Sequence, residues 1–141
     1  MIGTKELLEI LPQAYPFLFI DRITEFEKDK KLVAIKNITA NEWNAIGHDD
    51  SAYFPETLII EAASQAALAL YQLSKIKPGE KRPMYILGKV TAEFLQSVAI
   101  GDQLVIEARA KMLEAGGYSD VTISVGDLKV AQVEIIYSVK R

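Results

Sequence analysis

Two side chains in this sequence pair a titratable group with a placement that could serve proton transfer. Glu61 stands within Leu58-Ile59-Ile60-Glu61-Ala62-Ala63, an apolar run where a carboxylate would have to be desolvated. Desolvation penalises the charged form of a carboxyl, which suits a general acid near neutral pH. Burying a charge without purpose is costly, so a carboxylate here signals either chemistry or a satisfied hydrogen-bond network that orients a helix. His48, the one histidine of the chain, follows Gly47 and precedes Asp49 and Asp50. Imidazole ionises nearest neutrality of all side chains, and adjacent carboxylates favour its protonated form. His48 could therefore give or take a proton, although a single histidine in a polar loop is by itself weak evidence and more often has a structural or incidental role.

The elements that must position these groups follow from patterning. Pro55 suits a helix start, and Glu56 to Lys75 contains no Gly or Pro and is rich in helix formers. Such a helix would be about 30 Å long. Apolar and small residues occupy most of its circumference, so it should be buried on most sides. At 100° per residue, Glu61, Gln65 and Gln72 fall within about 40° of one another, with Ser64 on the flank. They form one polar stripe. Asn41 to Phe54, which carries His48, shows no sustained period and reads as a loop. Trp43, Tyr53 and Phe54 could line an apolar tunnel there or simply pack.

Before that loop, Thr4 can cap a short helix carrying Leu7, Leu8, Ile10 and Leu11, and Pro12 and Pro16 then force an extended path. Phe17 to Glu27 and Leu32 to Thr39 read as two strands paired across the polar turn Lys28-Asp29-Lys30-Lys31. After the long helix, the turn Lys77-Pro78-Gly79-Glu80 leads to four strand-like segments: Met84 to Leu95, Gln103 to Leu113, Tyr118 to Val125 and Lys129 to Tyr137. Gly101, Gly116, Gly117 and Gly126 lie in the separators between the last four. Two strands, a long buried helix and four more strands predict an α+β architecture: an antiparallel sheet wrapped around one central helix, the layout of a hotdog fold. No repeat or linker interrupts it, and 141 residues fit a single domain, 1–141.

Composition narrows the function classes. A net charge of −3 gives no basic face for phosphate, so nucleic acid is not an expected partner. With no cysteine, disulfides and thiolate chemistry are excluded. No metal-ligand spacing, phosphate-binding glycine loop or serine elbow occurs, and neither metal nor cofactor is expected. The N-terminal residues lack a signal pattern, and the run from Leu58 to Tyr71 is interrupted by Glu61, Ser64 and Gln65. The expectation is a cytoplasmic protein with no membrane partner. Lys75, Lys77, Lys81 and Arg82 bracket the turn after the helix, either as a solvated surface or as a docking patch for an acidic partner.

Several segments resemble the β-hydroxyacyl-(acyl carrier protein) dehydratases of fatty acid synthesis, the FabZ type. They are Leu11-Pro12-Gln13-Ala14-Tyr15-Pro16-Phe17, Lys36-Asn37-Ile38-Thr39-Ala40-Asn41-Glu42, Gly47-His48, Leu58 to Ala67, Ala92-Glu93-Phe94 and Val98 to Leu104. The resemblance implies a hotdog dimer whose site lies at the interface, with a loop His facing a helix Glu beside a tunnel for an acyl chain on a phosphopantetheine arm. On this chain those residues are His48 and Glu61. His48 would take the C2 proton of a 3-hydroxyacyl thioester, linked to acyl carrier protein or coenzyme A, and Glu61 would assist departure of the C3 hydroxyl. Gly47, Tyr53, Phe54 and Gln65 would border the substrate, and the backbone N–H groups of Glu56 and Thr57 would hold the thioester carbonyl, as helix N-termini can.

The loop departs from the family's glycine- and proline-rich pattern: it reads Gly47-His48-Asp49-Asp50-Ser51-Ala52-Tyr53-Phe54-Pro55-Glu56 and brings His48 one position closer to Glu61. Gln13 stands where the family commonly has His. Two further readings stay open at the level of sequence, a non-catalytic acyl-binding hotdog subunit and an acyl thioesterase. A homodimer is expected, and a larger assembly is not ruled in or out.

Overall fold

The computed structural model describes residues 2–13, 17–39, 53–113 and 115–140. Helix α1 (Thr4–Ile10) and strands β1 (Arg22–Glu27) and β2 (Lys31–Asn37) precede the long helix α2 (Glu56–Lys75). Strands β3 (Met84–Phe94), β4 (Gln103–Leu113), β5 (Gly116–Val125) and β6 (Leu128–Lys140) follow it. Among the described residues the strands form one sheet in the order β1-β2-β4-β5-β6-β3, antiparallel at every pairing. β3 thus closes the sheet beside the last strand rather than beside β2, so it leaves the opposite edge from β1. The sheet and its central helix give the hotdog architecture.

The core lies between the sheet's inner face and α2. Register sets its layers: Ala34, Ile106, Ile123 and Ala131 form one row across β2, β4, β5 and β6, and Leu32, Ala108, Val121 and Val133 form the next. All eight are buried. The rows mix small residues with branched ones and take up a helix that itself presents Ala62, Ala63, Ala66, Ala67 and Ala69. The alanines let α2 approach the sheet closely, and this accounts for a twenty-residue helix with only a weak polar face.

Several boundaries differ from the sequence expectation for identifiable reasons. Thr4 is the first helical residue and not the cap. Gly3 takes the cap position, and the Thr4 hydroxyl donates to the carbonyl of Asp21 at 2.7 Å. Pro55, expected in the first turn, is the N-cap of α2, and its carbonyl accepts from the N–H groups of Leu58 and Ile59. The first strand begins at Arg22 and not at Phe17. Phe17–Asp21 is extended, but the Phe19 N–H is bonded to a side chain of α2 instead of a neighbouring strand. Of the expected loop Asn41–Phe54, residues 41–52 lie outside the described residues.

Candidate active site

Glu61 lies one turn into α2 and is half-buried, not fully enclosed as its apolar sequence neighbours imply. Its surroundings explain the difference, since it opens into a cleft of about 160 Å³ between α2 and the β3–β6 side of the sheet. Gln13 and Ser64 border the cleft near Glu61, and Leu68, Tyr85, Leu87 and Tyr137 continue its wall. The carboxylate has a fixed partner: Gln65 Nε2 donates to Glu61 Oε1 at 3.1 Å. The same Nε2 donates to the carbonyl of Phe17 at 2.7 Å, and Gln65 Oε1 accepts from the Phe19 N–H at 2.8 Å. Gln65 is 0% exposed. Its amide therefore ties the extended segment after α1 to the helix and orients Glu61.

The remainder of the polar stripe is occupied. Ser64 Oγ donates to the Ile60 carbonyl at 3.0 Å, and the Tyr85 hydroxyl donates to Gln72 Oε1. Gln65 and Gln72 thus fix the helix against its neighbours, and Glu61 faces a cleft.

The other sequence-selected residues are placed as follows. Phe54 is a core side chain, 1% exposed, packed edge-on against Phe19 with ring centroids 6.0 Å apart. That is the packing role left open for it by the sequence. Its N–H bonds the Val98 carbonyl at 2.8 Å, which anchors the chain immediately before α2. Tyr53 is exposed and pairs through an isolated bridge with Ala99. Glu56 and Thr57 are exposed in the first turn of α2, where backbone N–H groups have no intrahelical acceptor. Gly47, His48 and Trp43 lie outside the described residues. Of the basic cluster, Lys75 pairs with Asp29 at 3.1 Å and Arg82 donates to the Leu11 carbonyl, so two of the four cations are engaged within the chain.

Tyr85, Leu87 and Tyr137 are among the cleft residues not selected from sequence. Tyr85 and Tyr137 pack edge-on against Tyr71, at 6.0 and 5.8 Å between ring centroids, and Leu87 is 54% exposed at the sheet edge. The available signal was period-two alternation in the last strand, which places Tyr137 on the same inward face as Val133 and Ile135. Gln13 Oε1 and the Tyr137 hydroxyl are buried without a hydrogen-bond partner among the described residues. Within the same residues no group of His, Asp and Glu side chains could hold a metal ion, and no helix is long and apolar enough to cross a membrane.

Comparison with known proteins places this geometry in a family. The sequence matches the FabA-like domain over residues 11–139. It is 35% identical over 138 residues to the 3-hydroxyacyl-[acyl-carrier-protein] dehydratase FabZ of an Acidovorax species, covering 96% of this chain and 95% of that one. The protein of the same name from Neisseria meningitidis is 39% identical over 141 residues, covering 99% and 95%. Among solved structures, the dehydratase heterocomplex ApeI:P from Xenorhabdus doucetiae superimposes with a TM-score of 0.82 at 13% identity, covering 96% of this chain and 91% of that one. A thioesterase from Pseudomonas aeruginosa superimposes with a TM-score of 0.70 at 15% identity, covering 96% and 92%. The two superpositions carry the fold alone, whereas the sequence matches extend nearly end to end: this chain belongs to the FabA-like family and stands in it beside the FabZ dehydratases.

Proposed function

We propose that this protein dehydrates a 3-hydroxyacyl thioester, carried on acyl carrier protein, to the trans-2-enoyl thioester in fatty acid biosynthesis. The observation that carries the reading is Glu61, held by a buried amide at the mouth of an otherwise largely apolar cleft, in a chain similar over nearly its whole length to proteins named for that reaction. Neutral His48 removes a proton from C2, the electron pair forms the C2–C3 double bond, and the C3–O bond breaks. Protonated Glu61 gives its proton to the departing hydroxyl, which leaves as water. Proton return from His48 to Glu61 through solvent resets the pair. Each positioned group is worth roughly 10²–10⁴ in rate. The first-turn N–H groups of Glu56 and Thr57 stabilise negative charge on the thioester oxygen as C2 is deprotonated.

The reading extends to a homodimer built through β3. The two sheet edges differ in chemistry: β1 carries Arg22, Glu25 and Glu27, whereas the first half of β3, ahead of the exposed Lys89 and Glu93, presents Met84 at 64%, Ile86 at 46% and Leu87 at 54%. Charged edges resist pairing and apolar edges invite it. Leu87 also borders the Glu61 cleft, so a second copy added along β3 would cover the cleft and exclude water from it.

The test is incubation with 3-hydroxyacyl thioesters on acyl carrier protein and on coenzyme A, followed by mass spectrometry beside His48→Ala and Glu61→Gln. Loss of one water from the acyl group, abolished by either substitution, is the expected result. Release of free thiol would replace the reading with thioester hydrolysis. Binding without turnover would replace it with an acyl-carrying subunit.

A further inference from the structure

We propose that two copies of this chain pair antiparallel along β3 in one register, with Thr91 on the two-fold axis and Lys89 of each copy opposite Glu93 of the other. The inference deepens the dimer reading above and does not depend on the reaction assigned to the cleft. It starts from the hydrogen-bond phase of β3, the edge strand of the sheet. The Leu95 N–H donates to the Val130 carbonyl at 2.8 Å, and Leu95 continues the register in which Lys89 to Phe94 pair with Ile136 to Ala131. On the other side of β6, the Val139 N–H donates to the Ala115 carbonyl at 2.8 Å, which turns Ile135 and Val133 toward β5 and Ile136, Glu134 and Gln132 toward β3. Both bonds give the same alternation. Lys89, Thr91 and Glu93 face β6 with their backbone polar groups, and the N–H and C=O groups of Val90, Ala92 and Phe94 point to the open edge. A second copy must set the same three residues against them, which centres the two-fold axis on a residue and not between two.

Charge then selects the residue. Val90, Ala92 and Phe94 pack toward the core, whereas Lys89, Thr91 and Glu93 are exposed on the outer face. An axis at Lys89 or at Glu93 sets like charges directly opposite each other. An axis at Val90 or Ala92 leaves both charges without a countercharge opposite. Only an axis at Thr91 sets Lys89 against Glu93 twice, in non-hydrogen-bonded pairs where side chains stand closest. The bulge of β3 extends the match. Register with β6 shifts by one residue between Leu87 and Lys89, so Gly88 is the extra residue. Counted past it, Ile86 falls opposite Leu95 of the second copy on the outer face, and Leu87 opposite Phe94 of the second copy on the inner face. Ile86, Leu87 and Leu95 are all large apolar side chains exposed in the single chain, and this register covers them. An axis at Val90 would set Ile86 against Glu93 instead. Leu87 borders the Glu61 cleft, so the register also brings Phe94 of the second copy to the wall of that cleft.

The chain contains no cysteine, so one cysteine introduced on the outer face of β3 reads the register directly. Lys89→Cys, Thr91→Cys and Glu93→Cys, each confirmed as folded by circular dichroism, are oxidised with glutathione disulfide, and the covalent dimer is followed on non-reducing gels. Directly opposite residues in a non-hydrogen-bonded pair have Cα atoms about 4.5 Å apart, within the span of a disulfide. In the proposed register the two Lys89 positions, and likewise the two Glu93 positions, lie four residues apart along the ladder, about 13 Å and out of reach. Thr91→Cys is therefore expected to cross-link at least about tenfold faster than the other two. Sedimentation of Lys89→Glu, Glu93→Lys and the double variant tests the charges. Each single reversal sets like charges opposite twice and is expected to weaken association at least about tenfold, and the double reversal to restore it to within about threefold of wild type. Fastest cross-linking at Lys89→Cys or Glu93→Cys, or a dimer that none of the three cross-links, would overturn the register. Single reversals without effect, or a double reversal that recovers nothing, would overturn the ion pairs. A wild-type chain that sediments as a monomer would overturn the dimer itself. Turnover enters none of these readouts, so failure of the dehydratase reading would leave the register standing.

Discussion

Gln65 Nε2 donates to Glu61 Oε1 at 3.1 Å and also to the Phe17 carbonyl, while Oε1 of the same amide accepts from the Phe19 N–H. One buried amide thus couples the chain after α1, the central helix and the candidate acid. A side chain in this role has two separable effects, because the backbone bonds hold the fold and the carboxylate bond aims the acid.

Replacing Gln65 by Leu keeps the volume and removes both. The buried Phe19 N–H loses its acceptor, a loss worth about 1–3 kcal/mol. Urea unfolding should show that destabilisation at unchanged slope. Turnover should fall by at least about tenfold beyond the loss of folded protein, because Glu61 loses the bond that fixes its orientation. Wild-type turnover per folded molecule would show that Glu61 needs no such support.

Glu61→Gln isolates the acid. The new side chain keeps an oxygen that can accept from Gln65 Nε2, so stability should stay within about 0.5 kcal/mol of wild type. Dehydration should fall by roughly 10²–10⁴. If the rate fell while affinity for a saturated acyl thioester also collapsed, Glu61 would be a binding group and not the proton donor.

Most of the fold was legible because the signals were local and strong. The span Glu56 to Lys75 was readable from the absence of Gly and Pro, and β4 from alternation bounded by Asp102 and Glu114. What could not be read were contacts made by topology. Phe17 reads as a strand residue, yet its carbonyl bonds Gln65, 48 positions away, so the ladder starts at Arg22. The cleft has the same character. Glu61 stood out as a carboxylate in an apolar run, but Tyr85, Leu87 and Tyr137 come from the first and last strands after the helix. They meet only because β3 crosses the sheet to pair with β6.

The exposed residues of β3 make the proposed dimer testable without touching the cleft acid. Ile86→Lys places a charge on the apolar edge, where a closed interface would have to desolvate it. Sedimentation should show association weakened at least about tenfold, with circular dichroism unchanged. Activity that survives in the resulting monomer would show that one copy completes the site.

Two glycines separate backbone strain from steric conflict. At Gly126, φ is +58° and a Cβ would meet nothing within 4 Å, so Gly126→Ala should cost only about 1 kcal/mol for its positive φ. At Gly116, φ is +152° and a Cβ would lie 2.3 Å from the Tyr137 carbonyl oxygen. Gly116→Ala must move the β6 backbone, and a cost of about 2 kcal/mol or more is expected from strain and clash together. Equal costs in denaturant unfolding would refute the distinction.

Tyr137 supplies a pH signature. Burial, followed by the neighbouring Tyr71 and Tyr85, pushes its phenol well above the ordinary tyrosine range. The folded chain therefore keeps this proton where the unfolded chain releases it. The associated stability is present in full below about pH 10, the value for an unperturbed tyrosine, and is lost as pH rises further. Tyr137→Phe removes that dependence together with a hydroxyl that has no partner among the described residues. Near neutral pH it should be neutral or stabilising by up to about 1 kcal/mol. Above pH 10 its unfolding free energy should fall less steeply than that of wild type, by up to about one proton's worth of slope. Parallel curves for the two proteins would mean that the phenol ionises in the folded state as freely as in the unfolded chain, and that the ring is not sealed in the core.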